Sequence, residues 1–204
     1  MAVTRATATA AAAVLGLMVA GCSSSGDASS TAPTATASGA LPSSAAPTTA
    51  DASQNAQSQA VALVPTYLGT IDDLYLDPSR SLDDLYQVAA TPEATAEATA
   101  IGTFRSRGYR QVGRSQLVRA SADSVDLATD AAASPSPTLP TVVVTACVDV
   151  SHVQATDASG TSVIPADRPR YLVARLTVVN PHYPGPSSWR VSEAPNRQAQ
   201  SCDG

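Results

Sequence analysis

The stretch TVVVTACVDVSHV, residues 141–153, decides how the rest of the chain is read. It is dominated by valine and carries apolar residues at both odd and even positions. β-Branched side chains of this kind suit a pleated strand, and apolarity on both faces places that strand in the middle of a sheet. Working outward, Asp157–Gly160 reads as a turn, and Tyr171–Val179 alternates cleanly. Leu172, Ala174, Leu176 and Val178 fall on one face of that second strand, and Arg175 and Thr177 on the other. Trp189 and Val191 lie on one side of a final short strand. Upstream, Tyr109–Arg119 and Ser124–Thr129 are expected to form the first antiparallel pair, with Ser134-Pro135-Ser136-Pro137 as a loop before the central strand.

Before Gly108 the period changes from two to between three and four. In 60–76 the residues Val61, Val64, Leu68, Ile71 and Tyr75 make one stripe on a helix, and Pro65 either kinks that helix or begins it. Asp77-Pro78 ends it. Ser81 with Asp84 three residues later starts a short second helix with Leu82, Leu85, Tyr86 and Ala89 as its apolar face. Thr91-Pro92-Glu93 starts a third: a cap residue, proline at the first helical position, then an acid in the first turn. It is expected to run to Arg107, burying Ile101 and Phe104, with Gly108 as its stop and Arg105 and Arg107 favourably placed at its C-terminal end. The fold class is therefore α+β, N-terminal helices packed on a curved antiparallel sheet. No long repeat is present, and 59–204 is expected to form a single domain.

Composition narrows the function. The 204 residues include 12 Arg and no Lys against 17 acids, with a formal net charge of −5 and 14% charged residues. A nucleic-acid binder would show the opposite balance, and no nucleic-acid partner is expected. Residues 1–22, MAVTRATATAAAAVLGLMVAGC, have one early cation at Arg5, an uncharged run from Ala6 to Ala20, and small residues before a cysteine. That is the layout of a secretory signal. Its last four residues, Val19-Ala20-Gly21-Cys22, resemble the lipobox of bacterial lipoproteins. The resemblance implies a signal peptide at 1–21 and a mature chain starting at a lipidated Cys22, with a thioether-linked diacylglycerol and a further acyl chain on its amino group. Two or more chains anchor stably where one does not. The alternative is an ordinary secretory signal cut elsewhere, with Cys22 an unmodified thiol. From Ser23 to Ser58 nearly every residue is Ser, Thr, Ala, Gly or Pro, with Leu41 the only large aliphatic side chain. Residues 22–58 therefore read as a lipidated cysteine and a disordered tether, whose span by flexible-coil scaling is ~30–35 Å. The Ala and Arg bias resembles that of actinobacteria, which puts the anchor in the outer leaflet of the cell membrane, on its extracytoplasmic face.

The order of elements resembles the nuclear-transport-factor-2-like (SnoaL-like) cone fold. Within it, ACVDVS at 146–151, the turn from Asp157 to Gly160, Arg168, Trp189-Arg190-Val191 and the late Cys202 are similar to lipoproteins of actinobacteria. The resemblance covers most of 60–202 and rests on scattered residues and element order. Cone-fold proteins include isomerases, cyclases, dehydratases and non-enzymatic adaptors, so fold alone leaves function open.

If Cys22 is lipidated, Cys147 and Cys202 remain in an exported domain where disulfides persist. A bridge between them would pin the C-terminal tail to the central strand; the alternative is a buried free thiol at Cys147 and a terminal one at Cys202. His152 and His182 are the only histidines, and neither has a Cys or His partner at metal spacing. There is no glycine-rich phosphate loop and no Gly-x-Ser-x-Gly elbow. No cofactor is expected. Asp72-Asp73 with Asp77, and Asp83-Asp84, lack the regular spacing of a calcium loop and read as solvated helix decoration. Asp149 and His152 lie near the end of the central strand, where cone-fold enzymes tend to keep an acid or base. Strand parity puts Asp149 on the face of Cys147 and His152 on the other, against a dyad, so the expectation is a polar strand end hydrogen-bonded locally. Charge is segregated: 72–97 holds seven acids and only Arg80 as a cation, whereas 105–119 holds five arginines and no acid. The arginines are expected to decorate a solvated edge strand, with contact to lipid headgroups, wall polymers or an acidic partner as the alternative. The functional expectation is a membrane-anchored, non-enzymatic domain that binds a protein partner or a small apolar ligand at the cell envelope. The alternative implied by the resemblance is a SnoaL-like enzyme that abstracts a proton from a small apolar substrate, with Asp149 or Tyr67 as base.

Overall fold

The computed structural model describes residues 48–203; the signal segment, Cys22 and the first part of the expected tether lie outside the described residues. The first helix, α1, spans Thr49–Leu76, so it begins well inside the segment read as tether. Two things make it start there. Thr48 and Asp51 form a reciprocal cap: the Asp51 N–H donates to Thr48 Oγ1 at 3.2 Å, and the Thr48 N–H donates to Asp51 Oδ2 at 3.0 Å. Alanine, which looked like linker composition, is also the strongest helix former. Ala56 and Ala60 are buried, and Gln59 accepts a 2.7 Å hydrogen bond from the Trp189 indole. Pro65 lies inside α1 with its ring on the exposed face. The helix therefore neither begins nor ends there.

A six-residue 3-10 helix, Leu82–Gln87, follows, capped by Ser81 through the Asp83 N–H and not through Asp84. The next helix, α2, spans Glu93–Ser106; Pro92 stands at its cap without a side-chain hydrogen bond, and Thr91 does not cap it. Gly108, at φ +71°, ends this region as expected for a left-handed stop. Ile101 is fully buried, whereas Phe104 is half-buried and stacks edge-on against Tyr75 and Tyr109. Arg105 reaches across to the C-terminal end of α1, donating to the carbonyls of Leu74 at 2.7 Å, Asp77 at 3.1 Å and Arg80 at 3.0 Å. Its charge thus serves the terminus of a neighbouring helix.

The strands are β1 (Arg110–Val112), β2 (Gln116–Asp126), β3 (Thr141–Asp149), β4 (Gln154–Thr156), β5 (Tyr171–Val179), β6 (Arg190–Glu193) and β7 (Asn196–Ala199). The expected pairing of 109–119 with 124–129 is not what forms. β1 pairs with β4 in a separate two-stranded ribbon, and β2 is one continuous edge strand on β3. The break between β1 and β2 is Gly113, at φ +79°, where a Cβ would stand 1.9 Å from the His152 carbonyl oxygen. Register irregularities at 117/119 and 122/124 interrupt the alternation along β2, which is why its period was illegible.

β3 is central, between β2 and β5, and every pair in the register is antiparallel. β6 and β7 share the far edge of β5, β6 beside Thr177–Val179 and β7 beside 171–174. One face of this sheet, through Val142, Val144, Ala146, Leu176, Val178 and Val191, packs with buried residues of the helical segments in a single core that includes Val64, Tyr67, Leu74, Leu85 and Ile101. Cys147 points to the other face and is joined to Cys202, with Cα atoms 5.6 Å apart, so the C-terminal tail is stitched to the central strand.

Candidate functional site

Along α1, Val64, Tyr67, Leu68, Ile71, Asp72 and Tyr75 recur at three- and four-residue steps, making one stripe that faces the sheet. Opposite it, Ala146, Val148 and Val150 come from the β3 segment, and Leu172, Ala174 and Leu176 from alternate positions of β5. These two surfaces flank a half-open cavity of about 380 Å³, with Glu97, Gln111, Ser115, Arg168, Ala194 and Asn196 at its margins. The space has a local cause. Ala120 pairs with Ala146, Ala146 with Ala174, and Ala174 with Asn196, so a row of three alanines crosses the sheet where larger side chains would meet the helix. An apolar chamber of this size with a few convergent polar groups is the form that small-molecule sites take.

The polar groups differ in how fully they are engaged. Asp72, buried on α1, accepts from the Ser115 N–H at 2.9 Å, the Ser115 hydroxyl at 2.7 Å and the Gln111 amide at 3.1 Å, and so ties down the β1–β2 connection. Arg168 donates to the carbonyls of Val150 at 2.6 Å and Val153 at 2.8 Å. The Tyr67 hydroxyl donates to Glu93 Oε1, while Glu93 Oε2 accepts the Ala194 N–H at 3.1 Å. Burial, reinforced by the hydrogen bond to Glu93, holds the Tyr67 phenol far above its ordinary range. The Tyr67 hydroxyl thus keeps its proton and donates it to the Glu93 hydrogen bond. Tyr75 is pushed up to about 12, first by burial and then by the Glu97 charge. Glu97 has no hydrogen-bond or ion-pair partner among the described residues; burial, then the charge of Glu93, pushes its carboxyl up to about 6.

Asp149, the alternative candidate for a base, does not line this cavity. It lies on the Cys147 face, where Arg170 grips its Oδ2 through Nε at 2.9 Å and Nη2 at 2.7 Å, and the Ser151 N–H donates to its Oδ1 at 2.9 Å. The Arg170 hydrogen bonds, then those from Ser151, hold its pKa well below the usual carboxylate range. A carboxylate so stabilised is a poor base, and His152 is exposed with no bond to it. Asp149 is thus bound locally by Arg170 and Ser151 and does not line the cavity. The aspartate cluster is spent on local structure: Asp73 binds Arg80 at 2.8 Å and Arg114 at 2.5 Å, Asp84 binds Arg80 at 2.9 Å, and Asp77 accepts from Ser79. The arginine run does not decorate one edge strand either. Arg105 serves α1, Arg107 sits over the Tyr109 ring, Arg110 is on β1, Arg114 binds Asp73, and only Arg119 lies on the edge strand β2.

Sequence reasoning missed Glu93 and Glu97. The signal was present: on α2 the apolar face runs through Ala94, Ala98 and Ile101, and Glu97 falls within it. A charge inside an apolar stripe marks either a buried partner or an open space. A second depression, 480 Å³ and more open to solvent, lies on the outer sheet face among Arg119, Arg175, Arg197, Val173 and Cys202. Two of its arginines stand beside carboxylates, Asp203 at 3.6 Å and Asp123 at 3.7 Å.

No protein-family model matches the chain, and no curated protein matches it. Among solved structures it is similar to the crystal structure of the intermembrane space region of the chloroplast protein ARC6, at 15% identity and a TM-score of 0.47, over 70% of this chain and 97% of that one.

Proposed function

We propose that this chain is an extracytoplasmic lipoprotein, anchored to the cell membrane through Cys22, whose α+β domain of the nuclear-transport-factor-2-like kind binds a small, largely apolar ligand between α1 and the sheet. The observation that carries the reading is the alanine row beneath the α1 stripe, which leaves an aliphatic chamber where ordinary packing would fill the space. The anchor rests on the signal-like run ending at Val19-Ala20-Gly21-Cys22. No helix among the described residues is long and apolar enough to cross a membrane.

The test is mass spectrometry on protein purified from its native membrane. A mass starting at Cys22 plus acyl chains, together with a small molecule retained under native conditions by the wild type and missing from Ala174→Leu, is the expected result. An unacylated protein refutes the anchor, and an empty wild-type protein from fresh membranes refutes the ligand.

A second reading has one observation in its favour. Glu97 lines the cavity with no protein partner among the described residues and its carboxyl is raised to about 6, which suits a SnoaL-like enzyme with Glu97 in place of Asp149 as base. Chemical conversion of the retained molecule, abolished in Glu97→Gln while binding persists, would establish that reading over simple binding.

A further inference from the structure

Two acids line the cavity, Asp72 and Glu97, and a third, Glu93, is hydrogen-bonded to its wall residue Tyr67; their partners distinguish them. Asp72 accepts three hydrogen bonds from Ser115 and Gln111. Glu93 accepts from the Tyr67 hydroxyl and the Ala194 N–H. Glu97 has no such partner among the described residues, and the one guanidinium in the wall, that of Arg168, donates to backbone carbonyls. The cavity therefore has an acid without a protein partner among the described residues at the α2 end, and aliphatic side chains of α1, β3 and β5 across its floor.

We propose that the occupant of this cavity is an amphipathic organic cation, an alkyl chain ending in a protonated amine or quaternary ammonium, with its head against Glu97 and Tyr75 and its chain along Val64, Leu68 and Leu176. The inference rests on the ligand-binding reading and specifies its ligand. A neutral hydroxyl would give half-buried Glu97 a hydrogen bond but no opposite charge, and a charge-assisted hydrogen bond is the stronger of the two. A bare divalent cation needs about six or more oxygen ligands, and this end of the cavity offers one free carboxylate beside the phenols of Tyr67 and Tyr75. An alkylammonium supplies both missing elements: charge for Glu97, with the Tyr75 ring beside it as a cation–π wall, and methylenes for the floor.

The experiment is calorimetric titration of the full mature protein with n-octyltrimethylammonium and, separately, with 1-octanol. Wild type, Glu97→Gln and Ala174→Leu are compared. The expected result is at least ~10-fold tighter binding of the ammonium than of the alcohol in wild type, near parity in Glu97→Gln, and loss of both ligands in Ala174→Leu, a hydrogen-bonded charge being worth about that much. Equal affinities in wild type overturn the cation inference and leave the cavity reading standing. Preference for the ammonium that survives in Glu97→Gln, or ammonium binding that survives in Ala174→Leu, overturns the assigned site. Failure of both ligands to bind wild type overturns the inference and the binding reading together.

Discussion

Removing the Cys147–Cys202 bridge tests how the sheet is held. The bridge closes a loop of separation 55 that contains β4 to β7, so in its absence the unfolded chain regains the freedom of most of the sheet. On the loop-entropy relation, a closed loop of about 55 residues restricts the unfolded chain by ~14 cal/mol/K, or ~4 kcal/mol at 25 °C. For a domain of about 150 residues each kcal/mol moves Tm by ~2–4 °C, so the expected fall is ~8–16 °C. The perturbation is the double variant Cys147→Ala/Cys202→Ala, which leaves no unpaired thiol in the domain. Differential scanning calorimetry with and without reductant is the assay. Wild type under reductant should fall to the variant's Tm, and the variant should not respond to reductant. A loss of less than ~3 °C would mean that β7 and the tail are held by their pairing with β5, with little contribution from the bridge, and the loop argument would fail.

Three further outcomes follow from the same structure. Gly113→Ala places a Cβ against the His152 carbonyl at a positive φ and should cost about 3 kcal/mol or more in urea unfolding; a loss below 1 kcal/mol would show that the β1–β2 connection relaxes freely. Glu97 has its carboxyl raised from 4.5 to about 6, so the folded state holds this proton more tightly than the unfolded chain, and stability is withdrawn as pH rises through that window. Glu97→Gln should therefore gain on wild type by about 2 kcal/mol between pH 4 and pH 7, at ~1.4 kcal/mol per pH unit, and a pH-independent difference between the two proteins would contradict it. Asp149 has the opposite sign: its pKa is depressed by Arg170 and Ser151, so its contribution is present above the ordinary carboxylate range and is lost as pH falls through the depressed value. Asp149→Asn should thus be less stable than wild type at pH 7, and chemical denaturation across pH 2–7 should show the difference shrink as pH falls below the ordinary carboxylate range.

What the sequence determined by itself was whatever depends on near neighbours. The valine run at 141–153 specified a central strand because β-branched side chains on both faces need two flanking strands and cover, and β3 has them. The alternation in 171–179 gave the bounds of β5 and its cavity face, because period two is a property of the strand alone. The glycine stop at Gly108 and the chemistry of the α1 stripe were likewise local. What only the tertiary structure decided was which neighbours meet. The alanines of 50–60 look the same in a linker and in a helix, and the helix is selected by burial of Ala56 and Ala60 in the core and by the hydrogen bond from Trp189, far along the chain, to Gln59. β1 and β2 separate because His152 stands where a side chain at 113 would be. Asp149 and Glu97 are both lone acids near apolar residues in the sequence. Arg170 ionises the first on the outer face, while the row from Ala120 through Ala146 to Ala174 opens a space beside the second. Charge and emptiness are properties of several elements at once, so no window of sequence contains them.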